Sequence, residues 1–81
     1  MGSEEVVERL TRRFGTGTRK ELRMALYERL GSLVQAEGQP ALNIVATVAA
    51  DAAGKREPGR YFAFVVMRRL QERGLIPAPE L

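Results

Sequence analysis

The sequence predicts an all-α fold: a compact bundle of about four helices forming a single domain over residues 1–77, with residues 78–81 as a tail. Three observations lead there. Apolar residues recur at intervals of three and four along most of the chain. Helix-starting residues (Ser3, Thr18, Pro40, Pro58) alternate with helix-ending glycines (Gly15, Gly38, Gly54, Gly74). The connections between these signals are short, as expected of packed neighbouring helices. At 81 residues the chain is long enough for one core and no more.

The first helix is predicted over Ser3 to Phe14. Ser3 is a candidate N-cap, Glu4 and Glu5 suit the positive end of the helix dipole, and Val6, Val7, Leu10 and Phe14 fall at helical spacing. Glu5/Arg9 and Glu8/Arg12 are favourable i,i+4 pairs. Gly15-Thr16-Gly17 breaks the pattern. The second helix is predicted from Thr18 to about Glu37, because Thr18-x-x-Glu21 reads as a capping box. Leu22, Leu26, Leu30 and Leu33 or Val34 form its expected core stripe, widened by Met24 and Tyr27. Gly31-Ser32 in its middle predicts either a bend or the close approach of another helix.

The third helix is expected to begin at Pro40, a good first helical residue, and to end at Gly54. It is Ala-rich and apolar nearly all round, which predicts a central, closely packed element. Asn43, Thr47 and Asp51 repeat every four residues as its one polar stripe, read as a solvent seam. The fourth helix is predicted from Pro58 to Gly74. Tyr61 to Val66 alone has strand composition, but Pro58 and the Met67–Arg73 run favour helix. Phe62, Ala63, Val66, Met67 and Leu70 share one face, and Phe64 falls on the other side. Tyr61, Phe64 and Val65 thus form an apolar surplus that calls for burial on two sides or a partner chain, either a homodimer or a larger protein.

Composition narrows the chemistry. With no cysteine and no histidine there is no disulfide framework, no zinc site of the usual ligands and no histidine acid–base pair. The carboxylates are mostly interleaved with arginines at ion-pair spacing. Gly15-Thr-Gly-Thr-Arg-Lys20 lacks the spacing of a phosphate loop. No enzyme, cofactor or metal is expected. No apolar run is long enough for a membrane span, and the expected compartment is the cytoplasm.

Charge is the more informative property. The net charge is +3, eleven of the thirteen cations are arginine, and residues 55–81 carry six cations against three anions. Like-charged residues recur at i,i+4 in Arg9/Arg13, Arg19/Arg23, Arg56/Arg60 and Arg69/Arg73, which weakens a helix slightly unless an anion lies nearby. Arginine forks suit phosphate. Arg19, Lys20, Arg23, Lys55, Arg56, Arg60, Arg69 and Arg73 are therefore the candidate nucleic-acid contacts, in a patch formed by the start of the second helix and both ends of the fourth. The Lys55–Arg60 turn adds backbone amides at a helix start. Tyr61 is a candidate for stacking on a base or for a place at the rim of the core. The competing reading is a solvated face knit by salt bridges between helices.

Two resemblances meet in the last third of the chain. Pro58-x-x-Tyr61-Phe62, preceded by an Ala-rich helix and followed by Arg68-Arg69-Leu70, resembles the P-x-x-Y-[FL] helix of some plasmid and phage replication initiator proteins. That resemblance covers about 35 residues and implies a helical domain for DNA binding or replisome assembly, in replication or mobile-element biology. Val66-Met-Arg-Arg-Leu-Gln-Glu-Arg-Gly-Leu-Ile76 resembles the recognition-helix end and first strand of winged-helix domains, without the wing strands and with a helix start too apolar to face a groove. The expected function is non-catalytic binding of nucleic acid, DNA before RNA, through arginine–phosphate contacts.

Overall fold

The computed structural model describes residues 2–77; the tail expected at residues 78–81 lies outside the described residues. Four helices follow in order: α1 (Ser3–Phe14), α2 (Lys20–Glu37), α3 (Gln39–Ala52) and α4 (Pro58–Glu72). No strand occurs among the described residues, and Leu75 and Ile76 lie in a bend. The most extensive packing is between α1 and α2, followed by α3 against α4, with α2 also meeting α3.

The helix starts differ from the expectation in ways that local geometry explains. Gly2, not Ser3, caps α1, because the Val6 amide already donates to the Gly2 carbonyl at 3.2 Å and draws Ser3 into the first turn. The Thr18–Glu21 capping box does not form. Gly17 turns the chain at φ 59°, Arg19 becomes the residue before the helix, and its carbonyl accepts from the Arg23 amide at 2.9 Å. Thr18 is then one position too early for its hydroxyl to cap the first turn. Gly38, at φ 73°, both ends α2 and precedes α3, so α3 starts at Gln39 and Pro40 stands where its missing N–H goes unneeded. α3 ends at Ala52, short of Gly54.

The end of α4 is the best-formed terminus. The Gly74 amide donates to Gln71 and the Leu75 amide to Leu70, both at 3.0 Å, with Gly74 at φ 73°. This paired arrangement satisfies carbonyls that would otherwise be orphaned and turns the chain so that Ile76 returns to the core.

The core is drawn from all four helices. Val6 and Leu10 of α1 meet Tyr27, Leu30 and Val34 of α2, Val45 and Val48 of α3, and Phe62, Val66 and Leu70 of α4. Tyr27 is fully buried, and its hydroxyl donates to the Gly15 carbonyl at 2.7 Å, tying α2 to the loop that ends α1. Phe14 stacks on Phe62 with ring centroids 4.7 Å apart. Two core expectations are corrected. Leu22 is 66 % exposed, because the buried stripe of α2 runs through Tyr27, Leu30, Gly31 and Val34 and leaves Leu22 about 130° away. Nor is α3 enclosed: Ala46 and Ala50 face solvent.

Gly31 marks a close approach. A Cβ there would lie 2.6 Å from the Ser3 carbonyl oxygen, a backbone atom that moves only if α1 moves. Gly31→Ala should therefore destabilise the fold by about 1–3 kcal/mol despite alanine's better helix propensity. A urea midpoint below that of the parent chain is the expected result. A midpoint above it would mean that α1 does not pack there.

Candidate nucleic-acid interface

The candidate interface lies where the starts of α2 and α4 meet. After the Gly15–Gly17 loop the chain enters α2 with Arg19 before the helix and Arg23 one turn in. Arg23 falls about 30° from the centre of the buried stripe, so it points toward α4 and is half-buried. Pro58 begins α4, and Gly59 leaves a gap that the Arg23 side chain fills. A Cβ on Gly59 would lie 2.6 Å from Arg23 Nη1.

That placement sets cation against cation. The start of a helix carries the equivalent of about half a positive charge, and the first turn of α4 contains no acidic residue. Arg23 has no carboxylate within salt-bridge distance among the described residues. Glu57, just before the helix, faces Arg60 at 3.7 Å in a well-exposed pair worth little in water.

Two grooves flank this junction. The larger, about 580 Å³, runs between the two helix starts and is lined by Arg19, Arg23 and Arg60 together with apolar Leu22, Leu26 and Phe64. The smaller, about 330 Å³, lies on the other side of α4 and includes Lys55, Tyr61 and Val65. Glu57, Arg60 and Phe64 border both, and in each groove the cations outnumber this one carboxylate. Phe64 is therefore a ridge with a basic groove on each side, and 72 % of it is exposed. Tyr61 and Val65, expected to share the apolar surface, are half-buried, and the Lys55 ammonium sits 4.9 Å from the centre of the Tyr61 ring. The exposed apolar surface belongs instead to Phe64 and Leu22.

The expected cations do not form one patch. Arg19, Arg23, Lys55 and Arg60 gather around the junction. Arg69 and Arg73 line a separate groove of about 440 Å³ with Asn43 and Thr47 of α3. Nine residues of helix carry Arg69 about 180° around α4 from Arg60. Lys20 and Arg56 are exposed and line neither groove at the junction. Leu22, expected in the core, lines the larger groove, and Arg68, which lines neither groove, is exposed one turn beyond Phe64 and continues the outer row Arg60–Phe64–Arg68.

Salt bridges between helices, the competing expectation, do not occur among the described residues. The pairs present are local: Glu5 with Arg9, Glu8 with Arg12, and Glu57 with Arg60. In the polar stripe of α3, Gln39 Nε2 donates to Asn43 Oδ1 at 2.7 Å. No charged side chain is buried, and no cluster of metal-ligating residues occurs among the described residues. No helix among them is long and apolar enough to cross a membrane. No protein-family model, curated protein or solved structure matches the chain.

Proposed function

We propose that this chain is a non-catalytic helical domain that binds nucleic acid through arginine–phosphate contacts at the junction of α2 and α4. The carrying observation is Arg23. The residue is half-buried, its guanidinium lies against Gly59 at the start of α4 without a carboxylate partner among the described residues, and it lines a groove shared with Arg19 and Arg60. An anionic oxygen in that groove relieves Arg19, Arg23 and the helix start together, and adds to the exposed Glu57 partner that Arg60 already has. The resemblance of the Pro58-x-x-Tyr61-Phe62 element to replication initiators supports DNA as the nucleic acid and a role in replication or mobile-element biology. Within that motif Phe62 is core and Tyr61 half-buried, so the motif holds α4 while the grooves make the contacts.

Exposure of Phe64 and Leu22 supports a second reading, a protein interface or homodimer. A two-fold contact through these residues would bring the Arg19, Arg23 and Arg60 sets of both copies together, with Glu57 the one acidic residue in either groove. The charge favours an anionic occupant over a second copy.

The test is fluorescence anisotropy of labelled DNA and RNA, titrated at about 50 and 200 mM salt. Binding at low salt that weakens steeply at the higher concentration supports the proposal. Absence of binding at low salt rejects it and redirects attention to a protein partner. A sharper probe is Gly59→Ala. The new Cβ meets the flexible end of Arg23, so the fold tolerates it, but the guanidinium is displaced. Affinity should fall several-fold while the melting temperature is unchanged or higher.

A further inference from the structure

Building on that reading, we propose that the bound nucleic acid is single-stranded and that one of its bases stacks on Phe64. The ring lies about 160° around α4 from the centre of the buried Phe62–Val66–Leu70 face, and it is the most exposed large apolar side chain among the described residues. As a residue bordering both grooves it offers most of its ring surface to solvent. Within a duplex the base faces are stacked on each other, which leaves such a ring nothing to cover. A single strand offers those faces freely.

The surrounding charge fits the same occupant. Arg60 and Arg68 stand one turn before and after Phe64, each about 6 Å along the helix, in position for phosphates on either side of a stacked base. Arg19 and Arg23 line the far wall of the larger groove. Leu22, exposed on that wall, extends the apolar surface on which the base rests. Neither groove contains an asparagine or glutamine to read adenine by its edge, and the proposed contacts are to base faces and phosphates. Binding should therefore tolerate most sequences.

The experiment compares a labelled oligothymidine of about a dozen nucleotides with a duplex of the same length, using the parent chain, Phe64→Ala and Phe64→Trp. The parent should prefer the single strand. Phe64→Ala should lose about 5- to 150-fold in affinity for it, the range of base–aromatic stacking, with little change in duplex binding or salt dependence. The chain contains no tryptophan, so Phe64→Trp provides a lone reporter whose emission should be quenched as the single strand binds. Equal binding of both forms by the parent, with Phe64→Ala silent and the tryptophan unquenched, overturns the stacking proposal and leaves phosphate binding standing. Binding of neither form overturns both, and a rise in anisotropy with a labelled glutamate-rich amphipathic peptide would then assign the groove to an acidic protein.

Discussion

Phe62→Ala should leave the domain only marginally stable at room temperature, with a melting temperature far below that of the parent chain. The ring is fully buried and stacks on Phe14 at 4.7 Å, where the end of α1 meets the start of α4. Truncating such a side chain costs about 3–5 kcal/mol, from lost transfer energy and the cavity left behind. A native domain has only about 5–15 kcal/mol in total, and one of this size sits toward the lower end. Phe64, two residues on, is the internal control, since Phe64→Ala should melt as the parent does. Circular dichroism on heating checks both. A cooperative melt of Phe62→Ala within a few degrees of the parent would show that the α1–α4 contact is not part of the core.

The second large effect is on binding. Replacing Arg19, Arg23 and Arg60 together by alanine should lower affinity for a single strand at least ~100-fold at low salt, because charge-assisted hydrogen bonds are each worth about 1.5–3 kcal/mol. The slope of log affinity against log salt should fall in magnitude by about 2, at roughly 0.7 per phosphate released from contact. The melting temperature should hold or rise, since the substitutions remove a cation from a helix start. Arg69→Ala with Arg73→Ala, on the opposite side of α4, should leave the slope nearly unchanged. Equal losses from the two sets would mean that the charge acts as a diffuse whole.

Much of the fold is legible in the chain because its punctuation is strong. Gly15, Gly38 and Gly74 end or follow helices as expected, and the core face of α4 follows from spacing alone. Positions that depend on one residue of register are less legible. Ser3 and Thr18 are good caps by type, but Gly2 and Arg19 take those places. A leucine-rich helix such as α2 permits two phases of stripe. The choice between them rests on Gly31, whose burial under Ser3 is a tertiary fact.

The site divides in the same way. That Arg69 and Arg60 face apart follows from counting residues, as does the row Arg60–Phe64–Arg68. The seating of Arg23 against Gly59 does not, because it joins residues distant in sequence through the packing of α1, α2 and α4. The exposure of Leu22 is a consequence of the same packing. Spacing could supply the cations, but only the fold could show that Arg19, Arg23 and Arg60 share a groove and that Arg23 sits there without an anion.

The most direct test of the junction as the binding surface is an amide chemical-shift map of the isotopically labelled chain titrated with oligothymidine. Shifts should concentrate at residues 16–26 and 57–68, with residues 39–47 quiet. Shifts clustered instead around Asn43, Thr47, Arg69 and Arg73 would contradict the assignment and move the site to the α3–α4 groove.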